Sequence, residues 1–237
     1  VQKRKPSGQF IVIAIDGPAG AGKSTTAKLL AQRLDFFLLD TGALYRVMAL
    51  HLERLGVSPD AEEVAAHALE SLDLRIEPHI AGMKLFLGGE DVSQIIREEK
   101  TGNLASRFSA KPEVRRALLG LQRSLGERMN LVAEGRDMGT VVFPVAALKF
   151  FVTADLAQRA ERRYAELLRR EQKANLSEVL AEMRARDDRD ESRAESPLVQ
   201  APDAIVVDTT SLSPHQVLEI MMNHIGVRLD TRIGRLH

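Results

Sequence analysis

Gly17-Pro18-Ala19-Gly20-Ala21-Gly22-Lys23-Ser24-Thr25 decides how the rest of the chain is read. The stretch fits G-x-x-x-x-G-K-[ST], and each residue type in it has a physical task. The glycines permit backbone angles that gather several N–H groups around one anion. Lys23 carries a mobile positive charge toward the outer phosphates of a nucleotide, and the Ser24 hydroxyl suits a magnesium ion. Before the loop runs Phe10-Ile11-Val12-Ile13-Ala14-Ile15, continuously apolar and rich in β-branched residues, which is the pattern of a buried parallel strand. After it, Ala27, Leu29, Leu30, Ala31 and Leu34 recur at helical spacing. The following helix would turn its partly positive N-terminus to the same anion. Strand, glycine-rich loop and helix in this order favour a phosphate site over the plain alternative, a glycine-rich turn without a ligand.

Working outward, five apolar segments read as strands of one parallel sheet: 11–15, 36–39, 131–133, 148–153 and 204–207. Helical patterns lie near 24–34, 43–55 and 111–127. A last helix begins near Ser213-Pro214, where Ser is a good cap and Pro suits the first turn. The expected fold class is α/β: a P-loop fold with a five-stranded parallel sheet flanked by helices, its ligands at the carboxyl ends of the strands. Two regions break the rhythm. Residues 73–97 alternate, include Asp73-Leu74-Arg75-Ile76-Glu77, Met83-Lys84-Leu85-Phe86-Leu87 and the turn signal Gly88-Gly89, and read as a small antiparallel β insert. Residues 155–193 are densely charged and helical. There is no internal repeat and no low-complexity linker.

Composition narrows the possibilities. The 237 residues carry 33 basic and 33 acidic side chains, so the net charge does not call for nucleic acid or an acidic membrane as a partner. With no cysteine, disulfides, thiolate catalysis and cysteine metal sites are excluded. The six histidines are scattered without ligand-like spacing. No apolar run reaches the length of a membrane span. The opening Val1-Gln2-Lys3-Arg4-Lys5-Pro6-Ser7-Gly8 is basic and reads as a flexible tail rather than a secretory signal, and a cytoplasmic setting is expected.

Three polar clusters fall where the sheet aims at the loop. Asp40-Thr41-Gly42 with Tyr45-Arg46 offers a hydroxyl and an arginine to a second phosphate, or else a helix cap and a surface arginine. Glu134-Gly135-Arg136-Asp137-Met138-Gly139-Thr140 offers an acid to orient magnesium-bound water, a bidentate arginine, and an acceptor for an amino or hydroxyl group; a salt-bridged turn is the alternative. Arg184-Ala185-Arg186-Asp187-Asp188-Arg189-Asp190, continuing to Arg193, reads as a solvated helix or as a closing lid. Phosphoryl transfer between two anionic nucleotides needs cations on the moving group and water kept out, and an arginine-bearing lid supplies both.

Taken together, these strings resemble those of bacterial cytidylate kinases, in order and with family-like spacing from about residue 10 to 226. The loop is shared by many enzymes; the D-T-G-A-x-Y-R, G-R-D-M-G-T and R-D-D-R-D strings are far more selective. The resemblance implies transfer of the γ-phosphoryl group of ATP to CMP or dCMP, with Mg2+ as cofactor. It implies a core over 1–72, 98–154 and 196–237, a β insert of the monophosphate-binding part over 73–97, and a lid over 155–195. ATP would lie on Gly17, Pro18, Ala19, Gly20, Ala21, Gly22, Lys23, Ser24 and Thr25, with Ser24 on the metal. Thr41 and Arg46 are similar to parts of the family's CMP site, with Arg46 on the phosphate. Ser106 and Arg115 match its cytosine side, and Asp137 is expected to help read the cytosine amino edge. Asp190 matches the contact to the sugar hydroxyls. Arg136, Arg186 and Arg193 match arginines near the transferred group and, with Lys23, are the expected catalytic residues. Two departures are small: Ser24 stands where some members have Gly, and Glu134 where some have Asp. Small-molecule substrates, no nucleic acid or membrane partner, and a monomer are expected. Another P-loop small-molecule kinase is the alternative; a GTP-dependent switch would want N-K-x-D and D-x-x-G segments, which are missing.

Overall fold

The computed structural model describes residues 10–79, 82–171 and 173–229, so the basic opening stretch lies outside the described residues. β1 (Val12–Asp16) leads through the glycine-rich loop into α1 (Lys23–Leu34), then β2 (Phe37–Asp40) and α2 (Thr41–Arg54). A short α3 (Ala66–Glu70) precedes β3 (Leu74–His79), β4 (Gly82–Leu87) and β5 (Glu90–Asp91), followed by a 3-10 turn at Ile95–Arg97. Next come α4 (Glu99–Phe108), α5 (Pro112–Gly126) and β6 (Leu131–Glu134), then a π-helical turn (Met138–Val142) and β7 (Leu148–Thr153). The chain closes with α6 (Leu156–Arg169), α7 (Leu176–Ser192), β8 (Ile205–Asp208) and α8 (Pro214–Leu229).

The main sheet has the order β2-β6-β1-β7-β8, every pair parallel. β1 is central and buried along its whole length, which is why its sequence is apolar without alternation. Its side chains feed two cores in turn. Val12 and Ala14 pack with Leu44, Val47 and Met48 of α2, while Ile13 and Ile15 pack with Leu30 of α1 and Met221 of α8. Helices therefore cover both faces, and the loop after β1 opens at the middle of the carboxyl edge. Gly17 is fixed there by space as well as conformation. Its φ is +144°, and a Cβ would stand 1.9 Å from the Val152 carbonyl oxygen of β7. Gly22, at φ +89°, caps α1 with no side-chain bond to the first-turn N–H groups. Those N–H groups are left for an anion.

The insert is a three-stranded antiparallel sheet, β3-β4-β5. Gly88-Gly89 turns β4 into β5, a two-residue strand too short for the alternation to announce. Two further elements carry no clear signal. α4 contains Thr101, Gly102 and Asn103, poor helix formers. It forms because Ala105 and Phe108 bury themselves in the core shared with α2. The π turn is stitched by N–H donation from Val142 to Asp137 and from Phe143 to Met138, at 3.1 and 2.7 Å. Among the described residues no helix is long and apolar enough to cross a membrane.

Candidate active site

The lysine of the loop folds back onto the loop itself. Lys23 is buried and donates to the Pro18 carbonyl at 2.6 Å. Burial pulls its ammonium well below the usual lysine range, and Arg136 adds to this, while Glu134 and Asp190 act the other way. Ser24 and Thr25 are exposed on the first turn of α1. Glu134 ends β6 in register with Asp40 of β2. Burial pushes the Glu134 carboxyl up, then Asp40; Lys23 and the Ser24 hydroxyl oppose the shift. Ser24 and Glu134 thus bring a hydroxyl and a carboxylate together, a hard oxygen donor pair of the kind magnesium takes alongside nucleotide phosphates. Among the described residues no group of three His, Asp or Glu side chains forms a metal cage.

Beside the loop lies a cavity of about 70 Å3 in an open cleft of about 490 Å3. Thr41 and Arg46 reach it from α2, Ser106 from α4, Arg115 from α5, and Arg136 and Asp137 from the turn after β6. Arg186 and Asp190 enter from α7 and Arg193 from just beyond it, so the nine positions matched in the sequence to a monophosphate site line one space, and the loop residues 17–25 lie outside it. The helical stretch read as either surface or lid turns Arg186, Asp187 and Asp190 inward. Asp40 also serves as the cap of α2, accepting from the Ala43 N–H at 2.9 Å.

The cavity wall is a mesh of ion pairs. Arg115 donates to Asp137 at 2.5 Å, with both side chains more than nine-tenths buried. The Arg136 Nε donates to Asp190 at 2.7 Å, and Arg193 stands 3.7 Å from the same carboxylate. Burial would lift Asp190, but Arg136 and then Arg186 hold it below the usual carboxylate range. Arg46 donates to the carbonyls of Ile96 and Glu98 at 2.9 and 3.1 Å, and the Thr41 hydroxyl to that of Glu134 at 2.7 Å. Arg186 is the outlier. Burial and then the neighbouring Arg136 draw its guanidinium down to about 10, and its Nε has no partner. Arg115 Nε and Arg193 Nη2 are likewise buried without partners. Buried cations crowded together with donors to spare are arranged for a polyanion.

Two residues outside the nine complete the frame. Asp16, the last residue of β1, accepts from the N–H groups of Met138 and Gly139 at 2.8 and 2.7 Å. It ties the turn that carries Arg136 and Asp137 to the strand that carries the loop. The signal was a carboxylate closing an apolar strand directly before Gly17. Arg159 of α6 is the second: it donates to the carbonyls of Ala154 and Ala19 at 2.9 and 3.0 Å and to Asp187 at 2.6 Å. It joins loop to α7, yet in sequence it is one arginine among many in a charged stretch.

Asp16 also sets a pH dependence. Burial raises its carboxyl from 3.8 to about 6 against the pull of the Gly139 and Met138 N–H groups. Between those values the folded chain holds a proton that the unfolded chain has lost, so this group's contribution to stability falls as pH rises through that window. Wild type should lose about 2 kcal/mol relative to Asp16→Asn between pH 4 and pH 6, read by urea unfolding. Parallel pH profiles of the two proteins would contradict it.

The family model for cytidylate kinase matches residues 13–226. A cytidylate kinase of Geobacter sp. (strain M21) is 44% identical over 219 residues, covering 92% of this chain and 94% of its own. One from Pseudomonas fluorescens (strain Pf0-1) is 48% identical over 219 residues, covering 92% and 96%. Among solved structures, an uncharacterized protein from Eubacterium ventriosum ATCC 27560 superposes with a TM-score of 0.52 at 14% identity, over 93% of this chain and all of the other. That likeness concerns the fold alone.

Proposed function

We propose, for a chain that belongs to the cytidylate kinase family, that it transfers the γ-phosphoryl group of ATP to CMP, giving CDP and ADP, with dCMP accepted in the same way. One observation carries the mechanism: Lys23 of the loop has Arg136, Arg186 and Asp190 of the cavity, together with Glu134 at the end of β6, as its charged neighbours, so two anion sites meet at one point. The loop N–H groups and Lys23 hold the ATP phosphates. CMP enters the adjacent cavity with its phosphate toward Arg46 and its base toward Arg115, Asp137 and Ser106. Asp190 takes the sugar hydroxyls.

A phosphate oxygen of CMP attacks the γ-phosphorus in line, and the bond from that phosphorus to the β,γ-bridging oxygen breaks, leaving ADP. The nucleophile is already an anion, so no general base is needed; positioning and charge stabilisation supply the rate. Arg136, Arg186 and Arg193 face the charge on the moving group. Ser24 would hold Mg2+, with Glu134 placed to orient water around it, and the ion would supply charge neutralisation at the outer phosphates. The helices of 155–195 act as a lid that keeps water from the γ-phosphate, over a core of 1–72, 98–154 and 196–237 and the β insert of 73–97. The enzyme works as a monomer in the cytoplasm on small-molecule substrates.

The test is phosphorus NMR of ATP, magnesium, CMP and enzyme. ADP and CDP should appear in equal amounts with no inorganic phosphate. ADP accompanied by inorganic phosphate, with CMP untouched, would overturn the reading.

A further inference from the structure

Arg46 depends on a residue that touches no nucleotide in the account above. Gly102 sits inside α4, buried against α2, with ordinary helical backbone angles. A glycine there weakens the helix relative to alanine, and its conformation does not require glycine. Space does. A Cβ at position 102 would lie 2.8 Å from both terminal nitrogens of Arg46 and 3.0 Å from the carbon between them. The end of the guanidinium occupies that space while its Nη1 donates to the carbonyls of Ile96 and Glu98 just ahead of α4. Burial there draws its pKa down, and Arg97, Arg163 and Arg170 add to this while Asp40 opposes.

We infer that Gly102 is a positioning residue for the acceptor phosphate, acting through Arg46: its missing side chain is the seat that fixes the guanidinium at the cavity wall. The inference rests on the proposal that Arg46 meets the phosphate of CMP. The obstructed atoms are the far end of a long, flexible side chain, so a methyl at 102 is relieved by Arg46 swinging away and the backbone stays put. Folding is therefore spared and acceptor binding is not. Displacement of a positioning group by about 1 Å is enough to lower turnover by about 100-fold.

Gly102→Ala should lower kcat/KM for CMP about 10- to 100-fold, weaken CMP in calorimetry to match, and leave KM for ATP within about twofold. Its Tm should equal or exceed that of wild type, because alanine favours the helix. Gly120→Ala in α5, where a Cβ meets open space, is the control: the same gain in helix propensity with unchanged kinetics. A second comparison holds even if Gly102→Ala folds poorly. On an Arg46→Ala background, Gly102→Ala should cost no further CMP affinity, since the residue acts only through Arg46. Wild-type CMP affinity in Gly102→Ala, or full additivity with Arg46→Ala, would overturn the inference while leaving the kinase reading intact. A wild-type protein that does not phosphorylate CMP would instead overturn the reading beneath it.

Discussion

Lys23→Met is expected to lower kcat by at least about 1000-fold without destabilising the fold. Lys23 is a buried ammonium near Arg136 and Arg186. Holding it there costs folding energy that an apolar side chain of similar length does not. Activity and stability should therefore move in opposite directions, which separates a functional lysine from a structural one. Initial rates and urea unfolding on the same preparation check this. An enzyme within about tenfold of wild type would mean the loop holds nucleotide without Lys23. A variant that unfolds more readily would mean the lysine serves the Pro18 carbonyl bond first.

Asp137→Ala should be costly in both currencies. Its partner Arg115 is left with the Ser109 carbonyl at 3.2 Å and the Tyr45 ring, whose centroid is 5.2 Å away. Stranding one buried charge of a pair typically costs about 3–5 kcal/mol. The base preference should fall with it. A site whose buried acceptor needs the cytosine amino group rejects UMP strongly, and removing the acceptor removes the penalty. The ratio of kcat/KM for CMP over UMP should drop by about 100-fold or more, with KM for ATP little changed. Adding Arg115→Met to Asp137→Ala should restore much of the stability and none of the preference. An unchanged CMP to UMP ratio in folded Asp137→Ala would assign the selectivity elsewhere.

The sheet was legible because parallel strands buried on both faces have to be apolar throughout, and β1 is so. Four of the five strands nevertheless run one residue past the apolar pattern, to Asp16, Asp40, Glu134 and Asp208. Backbone pairing continues while the side chain turns acidic, since that edge of the sheet faces the site. α4 was not legible because its glycine answers to Arg46 rather than to helix propensity. The nine cavity positions could be gathered from five separate strings only through the resemblance; local reading left the 186–193 stretch divided between surface and lid. Arg159 stayed hidden, and Asp16 showed itself only as a carboxylate closing an apolar strand, for a related reason. Their partners are backbone groups and a carboxylate supplied by distant segments, at separations such as 122 and 140 residues, which no local pattern encodes.

The measurement that tests the central claim most directly is ADP release from ATP and magnesium with CMP, dCMP, UMP, AMP, GMP or no acceptor. Rapid release with CMP and dCMP alone is the predicted result. Release that is faster with another monophosphate, or that proceeds with no acceptor present, would contradict it.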